Sequence, residues 1–229
     1  MNIIDITGSI YEGMWDFGAP GGPFRKVKES YILDGKKIFY ERFEGLSGAT
    51  GTFFETGATY LGYENSISVD KIPLEKIVNV DAYVLQVPYD NLNIENGKKY
   101  ITVKDIKKAE KVKIPENSVI LISTGYGKNW EKEDYLEKDP YFKKEAIYYL
   151  ISKKPTIIAT DFFNWDNVKK TEGKTAGHFL KRLYESGAVL LVSCINLEKI
   201  KKPVVKFIGL PINIKDVCMC PVRAVIIEE

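Results

Sequence analysis

The pattern of apolar and polar residues predicts a chain built largely of short strands. Apolar runs bounded by turn-forming residues are typical of buried strands, and such runs lie at 3–10, 82–87, 119–123, 156–159, 188–194, 204–210 and 222–227. Two further runs, 31–33 and 37–43, flank Asp34-Gly35, a dipeptide that strongly favours a hairpin turn. Residues 13–23 are rich in glycine and proline and are predicted to form a loop.

Helical spacing appears between several of these strands. Asp139-Pro140 predicts a helix start, because proline is favoured at the first helical position, and an apolar stripe follows at 146, 147, 150 and 151. A second helix is predicted over 175–186, closed by Gly187. Strands interleaved with helices predict the α/β class, with the early hairpin making the sheet mixed. Because no linker or repeat interrupts the pattern, we predict one domain over residues 1–229.

The composition argues against several classes of partner. There are 33 basic and 31 acidic residues, a net charge of +2, so neither nucleic acid nor a membrane surface is strongly attracted. The first residues lack the form of a secretory signal, and no apolar run has the length of a membrane span. Three cysteines without such a signal predict reduced thiols and a cytoplasmic location. Plentiful lysine and glutamate with one glutamine resembles thermophile usage, although genome base composition produces the same bias.

Six short segments, in the right order and spacing, resemble the cyclase family, whose best-known members are bacterial kynurenine formamidases. They are Ile4-Asp5-Ile6 with Tyr11-Glu12-Gly13-Met14, Gly51-Thr52, Ser123-Thr124-Gly125 with Trp130 and Tyr135, Ala159-Thr160-Asp161 through Asp166, Gly177-His178 through Asn196-Leu197, and Cys220-Pro221-Val222-Arg223-Ala224-Val225. The resemblance implies a metal-dependent amide hydrolase. It also implies a mixed, partly barrel-like sheet flanked by helices.

The family's metal motif, His-x-Gly-Thr-His-x-Asp-x-Pro-x-His, falls on residues 49–59, where most of its polar side chains are missing. Ala49 and Phe53 replace two metal-binding histidines, and Glu55 replaces the aspartate. Thr59 stands where the family has its acid/base histidine, and Gly57 replaces the proline. Of the two later ligands that the resemblance implies, His178 matches the histidine, and Val192 falls where a glutamate is expected.

These replacements predict that no catalytic Zn or Mn is bound tightly at the family's site. A catalytic zinc takes about three protein ligands with N, S or O donors, and Ala, Phe and Val carry no lone pair. Glu55 and His178 supply two ligands at most. Without the metal, the pKa of a water molecule stays far above neutral, so the family's source of nucleophile is lost.

Other residues leave alternatives open. Cys218 and Cys220 could form a softer site with Glu55 and His178, but alternate strand residues point to opposite faces, which favours a structural role. A Cys–His nucleophile pair is a further alternative. Glu55 is either a pocket residue with a raised pKa or a strand residue paired with a lysine. Asp161 is a candidate substrate-binding residue, or else a turn residue whose carboxylate caps backbone groups.

Aromatic residues come from segments that line the cleft in the family. Trp15, Phe17, Phe53 and Tyr126 are candidate binding residues for an aromatic or planar small molecule. The alternative is that these rings close the cavity as core. If the family geometry holds, Phe53 fills part of the vacated metal position.

Two functions follow. One is a metal-free relative that binds a small molecule or serves as a structural oligomer. The other is an active hydrolase of N-formyl or cyclic amides, with Glu55 and His178 as candidate catalytic residues. The resemblance also implies a homodimer or homotetramer, in which Trp15 and Phe17 could face a partner subunit.

Overall fold

The computed structural model describes residues 1–18, 22–166 and 178–229, with the side chains of residues 178 and 179 outside that description. Its strands are β1 (Asn2–Asp5), β2 (Arg25–Leu33), β3 (Lys36–Glu44), β4 (Phe53–Glu55), β5 (Val78–Gln86), β6 (Asn93–Glu95), β7 (Lys98–Ile101), β8 (Val119–Ser123), β9 (Tyr141–Phe142), β10 (Ile157–Thr160), β11 (Val189–Val192), β12 (Val204–Pro211) and β13 (Met219–Glu228). Its helices are α1 (Ala58–Leu61), α2 (Val103–Ala109), α3 (Tyr135–Lys138), α4 (Lys144–Ser152) and α5 (His178–Glu185).

Seven strands close into a barrel. The hydrogen-bonded order is β13-β12-β5-β8-β10-β11-β4, and β4 pairs back onto β13 to complete the ring. Strand β1 pairs antiparallel with the other end of β13, beside β4 on the same edge. The strands β5, β8, β10 and β11 run parallel and the remainder antiparallel, so the sheet is mixed. The α/β class and the barrel-like, mixed sheet are therefore confirmed.

Alternate residues of the barrel strands enter two separate hydrophobic clusters. On β8, Val119 and Leu121 belong to a cluster made of strand and turn residues, which is the barrel interior. Ile120 and Ile122 belong to a second cluster that also contains side chains from α2, α4 and α5, which therefore cover the outside. This two-residue period explains why both faces of β8 are buried and why its sequence is apolar throughout.

The predicted hairpin is confirmed, but it stands apart from the barrel. Among the strands that the structure describes, β2 and β3 pair with each other alone. The turn at Asp34-Gly35 has positive φ at both residues, as a two-residue hairpin turn of type I′ requires. One face of the hairpin carries Ile32, Phe39 and Phe43, which are 68%, 65% and 55% exposed.

The prediction of a helix start at Asp139-Pro140 was wrong. Helix α4 begins at Lys144, and Tyr141–Phe142 instead form a short strand beside β7. The carboxylate of Asp139 is fully buried and accepts hydrogen bonds from the backbone N–H groups of Phe163 and Asn164 at 3.0 and 2.6 Å. An acidic residue before proline suits a helix cap equally well, so local sequence does not distinguish the two roles.

Other boundaries shift by a few residues. The first strand ends at Asp5 rather than at residue 10. The late helix begins, within the described residues, at His178, and its predicted start at 175–177 lies outside them. Gly187 follows it with φ +76°, as predicted for a helix-terminating glycine. No helix in the described part of the chain is long and apolar enough to cross a membrane.

Candidate functional site

The glycine of the degenerate motif is required by its backbone conformation. Gly51 has φ +78°, and a Cβ there would lie 2.8 Å from Cγ1 of Ile10. The next residue, Thr52, donates a hydrogen bond from its hydroxyl to the carbonyl of Ser193 at 2.7 Å. The same hydroxyl oxygen accepts one from the Gly8 N–H at 2.9 Å. The Gly-Thr pair therefore joins the motif to the segments that contain Gly8 and Ser193, and this structural role needs no metal.

Three of the positions expected to carry metal ligands, residues 49, 53 and 192, belong to one buried apolar cluster. Phe53 on β4 is paired directly with Val192 on β11. Ala49, Phe53 and Val192 are 3%, 2% and 2% exposed, and all three belong to the cluster outside the barrel. Because none of these side chains has a donor atom, the residues present do not fit a catalytic zinc or manganese. Among the described side chains, no group of three or more His, Cys, Asp or Glu residues could hold a metal ion.

Aromatic rings occupy the space beside these residues. Phe163 lies 6.1 Å from Phe53, 6.0 Å from Trp15 and 5.5 Å from Phe17 between ring centroids. Trp15 in turn stacks on Tyr135 at 4.9 Å and meets Trp130 edge-on at 5.0 Å. We call Trp15, Phe17, Phe53 and Phe163 the aromatic cluster. Asp139 fixes the backbone on which Phe163 is held, so a buried carboxylate supports this packing.

Glu55 lies two residues after Phe53 on β4, so the two side chains lie on the same face of the strand. It is 8% exposed, and its Oε1 accepts a hydrogen bond of 2.8 Å from the hydroxyl of Tyr184 on α5. Burial raises the pKa of Glu55 above its ordinary value, against the lowering effect of hydrogen bonds from Tyr184 and Thr59. The lysine partner considered in the sequence is replaced by a tyrosine, which lies 129 residues away along the chain.

His178 is the first described residue of α5, the helix that also carries Tyr184. The motif and the histidine-bearing helix are therefore brought together, through the contact between Tyr184 and Glu55. The side chain of His178 lies outside the described residues, and so does 167–177, the segment before it.

Asp161 is fully buried and holds a loop. Its carboxylate accepts hydrogen bonds from the Thr124 N–H at 2.9 Å, the Thr124 hydroxyl at 2.6 Å and the Gly125 N–H at 2.7 Å. Burial raises its pKa to about 6, although these hydrogen bonds act in the opposite direction. This geometry matches the capping alternative, and contact of Asp161 with a substrate stays a prediction.

An apolar cleft of about 480 Å³ adjoins the aromatic cluster. Its lining includes Phe17, Leu46, Ala49, Tyr63, Cys218 and Met219, and none of the described residues around it is charged. Of the candidate binding residues, Phe17 lines this cleft. Trp15, Phe53 and Tyr126 are buried as core, and the Tyr126 hydroxyl is bonded to the Tyr135 carbonyl at 2.7 Å, so their contact with a ligand also stays a prediction.

The cysteines do not converge. Cys220 is buried with its thiol 3.1 Å from the carbonyl oxygen of Ile212, while Cys218 precedes β13 and lines the cleft. Cys194 is fully buried, and burial raises its pKa. Cys218 is thus the cysteine at the cleft. The sequence did not single out Leu46, Phe163, Tyr184 or Met219 in this region, since their place depends on contacts between distant segments.

Comparison of the chain with known proteins identifies its family. The Cyclase family model matches residues 4–167. The chain belongs to the cyclase family. Cyclase-family members among solved structures share its fold, whereas no curated protein matched the sequence.

Three similar structures illustrate the extent of the match. Isatin hydrolase A from Ralstonia solanacearum has a TM-score of 0.82 and 19% identity, with 100% of this chain and 92% of that chain covered. Isatin hydrolase A from Labrenzia aggregata, bound to benzyl benzoate, has a TM-score of 0.76 and 23% identity, covering 98% and 93%. A predicted metal-dependent hydrolase from Bacillus stearothermophilus has a TM-score of 0.71 and 19% identity, covering 98% and 97%. At these identities the likeness shows the fold.

Proposed function

We propose that this cyclase-family protein binds an uncharged aromatic or planar small molecule in the cleft without a catalytic metal. The observation that carries the proposal is that Phe53 pairs directly with Val192 and that both belong, with Ala49, to one buried apolar cluster. Three donor side chains are replaced together at one place, while the Gly51-Thr52 turn that positions them is kept. Ligand pockets are mostly apolar and typically about 300–1,000 Å³. The cleft, at about 480 Å³, falls within that range.

A hydrolase of N-formyl or cyclic amides is the second candidate, and Glu55 is the residue that favours it. Burial raises its pKa, the direction that favours a role in proton transfer, and two of the three structures described above are isatin hydrolases. Against this candidate, Glu55 is buried against Tyr184 and is not among the residues that line the cleft. A hydrolase would also need a nucleophile that the apolar group around Phe53 does not supply.

Metal binding and turnover separate the two candidates. Purified protein, with and without added Zn²⁺ or Mn²⁺, is offered N-formylkynurenine and a panel of cyclic amides, and metal binding is measured by calorimetry. We expect neither submicromolar metal binding nor metal-stimulated turnover. Turnover that depends on metal and is abolished in both Glu55→Ala and His178→Ala would overturn the proposal.

Ligand binding is measured directly at Cys218. Cys194 and Cys220 are buried, so maleimide labelling of the folded protein reports on Cys218 in the cleft. We expect quinoline, an uncharged bicyclic aromatic, to slow this labelling in a saturable manner. Ile94→Cys in a Cys218→Ser background is the matched control, because Ile94 is 65% exposed and lines no part of the cleft. Equal slowing at both positions, or at neither, contradicts binding in the cleft.

We further propose a homodimer or homotetramer that works in the cytoplasm. A two-stranded hairpin is marginally stable alone, and within the described residues β2 and β3 pair with no other strand. A second copy of the chain would cover the exposed Ile32 and Phe39, which lie nearer the hairpin turn than Phe43 does. The three cysteines are all free, as expected in a reducing compartment. Light scattering tests the oligomeric state, and fractionation of cells that make the protein tests the location.

A further inference from the structure

The cleft has a second apolar cavity beside it. This side cavity is about 400 Å³ and is lined by Tyr11, Phe24 and Phe43, among other residues. Leu46, Ile212 and Pro221 line both the cleft and the side cavity, so the two spaces share a wall. At that wall Leu46 and Ile212 are 40% and 52% exposed, so a ligand can contact them from either side.

The charges around the two cavities restrict what they can bind. The cleft has no charged side chain among its described lining residues, and the side cavity has Glu12 and Lys26. Glu12 is already engaged, because its Oε1 accepts a hydrogen bond of 3.0 Å from the Lys26 backbone N–H. Moving an ion into an apolar space without a paired group costs several kcal/mol. A molecule that enters the cleft is therefore favoured when it is uncharged.

The shared wall also bears on the shape of the ligand. A single planar ring system in the cleft leaves the side cavity and one side of Leu46 exposed to water. A molecule with two apolar groups joined by a short link covers Leu46 from both sides and removes more apolar surface from water. Since the favourable free energy grows with the apolar area removed from water, the two-part ligand gains affinity over either part alone.

We propose that the cleft and the side cavity together bind one uncharged small molecule with two apolar ring groups, lying across Leu46. This inference rests on the proposed small-molecule function of the cleft. It adds that the ligand spans two compartments and has two ring groups. The aromatic residues Phe17 on one side and Phe24 with Phe43 on the other provide ring surfaces for both groups. Phe24 and Phe43 already lie 5.9 Å apart between ring centroids.

A matched pair of fluorescent probes tests the charge. N-Phenyl-1-naphthylamine is uncharged and has two ring groups, and 8-anilino-1-naphthalenesulfonate has the same scaffold with a sulfonate. We expect the uncharged probe to bind with one molecule per chain and at least about tenfold more tightly than the sulfonate, equivalent to about 1.4 kcal/mol. Equal affinity, or tighter binding of the sulfonate, overturns the inference.

Labelling at two positions tests whether one molecule occupies both compartments. Cys218 reports on the cleft, and Tyr11→Cys or, independently, Lys26→Cys in the Cys218→Ser background reports on the side cavity. We expect N-phenyl-1-naphthylamine to slow labelling at both positions with the same half-saturation, and quinoline to protect Cys218 alone. Ile94→Cys in the same background is the control, and its labelling should not change.

The outcomes distinguish this inference from the proposed function. Protection of Cys218 alone by the two-ring probe overturns the two-compartment site and leaves the proposed function standing. If neither N-phenyl-1-naphthylamine nor quinoline protects any position, both the two-compartment site and the proposed function are overturned. If labelling in the side cavity falls as the concentration of probe-free protein rises, a second copy of the chain covers that cavity, and this too overturns the inference.

Discussion

Phe53 provides the sharpest test of whether the family's metal position is filled. Its ring is 2% exposed, pairs across the sheet with Val192 and lies 6.1 Å from Phe163. Truncating a buried phenylalanine to alanine typically costs about 3–5 kcal/mol. We therefore expect Phe53→Ala to lower the free energy of unfolding by about this amount, and the melting temperature by roughly 6–20 °C for a chain of this size.

The assay is unfolding in guanidinium chloride. The slope m of the variant should equal that of the native protein, which checks that the surface exposed on unfolding is unchanged. Leu74→Ala is the control, because Leu74 is 63% exposed and its truncation should fall within about 0.5 kcal/mol of the native protein. If folded Phe53→Ala loses less than about 1 kcal/mol of the free energy of unfolding, the packing is refuted, because truncation of a loosely packed side chain has a small effect.

Zinc adds a second arm to the same experiment. A ligand at 100 times its Kd stabilises the folded state by about 2.7 kcal/mol. If the native protein held a site of about micromolar Kd, zinc at about 100 µM would raise the free energy of unfolding by that amount. We expect no rise, and a rise of that size would contradict the proposed loss of the metal.

Three further predictions concern buried carboxyl groups and the hairpin. Because burial raises the pKa of Glu55 above 4.5, the folded protein keeps a proton that the unfolded chain releases, so the native protein loses stability as the pH rises from about 4.5 through the raised pKa. The free energy of unfolding of Glu55→Gln relative to the native protein should therefore increase as the pH rises above about 4.5, and a difference that stays constant with pH in denaturant unfolding contradicts this. Asp161→Asn should leave a backbone donor at Thr124 or Gly125 unsatisfied and cost about 1–3 kcal/mol. That cost should be greater at pH 5 than at pH 8, because the pKa of Asp161 is about 6 and the native protein loses stability as the pH rises through it; denaturant unfolding at both pH values measures this, and no difference speaks against it. By light scattering the native protein should be a dimer or tetramer and Phe39→Lys a monomer, whereas a monomeric native protein excludes the assembly.

Strands β5, β8, β10, β11, β12 and β13 were predictable from the sequence because each contains an apolar run bounded by turn residues, whereas β4, β6, β7 and β9 were not predicted. Strand β8 matches its prediction at both ends, since both of its faces are buried and its residues are apolar up to Ser123. The α/β class follows from this pattern, and a partly barrel-like sheet was implied by the resemblance. The helix start at Asp139 failed because the same carboxylate could serve a cap or a distant loop, and only tertiary contacts decide between them.

The site was predictable in part. The resemblance brought residues 53 and 192 to one site, and the two are paired across β4 and β11, while Ala49 belongs to the same apolar cluster. The pairing of Glu55 with Tyr184 was not foreseen, since no local signal links residues on a strand and a helix so far apart. Phe163 was likewise missed as the ring at the centre of the aromatic cluster.

Strand β4 is three residues long, yet it completes the barrel by pairing with β11 on one edge and β13 on the other. Phe54 belongs to the cluster inside the barrel, while Phe53 belongs to the cluster outside it. The residue that helps to fill the barrel and the residue that aligns with the family's ligand thus lie on opposite faces of one short strand, so the side chain at position 53 can change without a change inside the barrel. Protein engineers can use this separation: Ala49→His, Phe53→His and Val192→Glu would place donor atoms on the outer face and leave Phe54 in place.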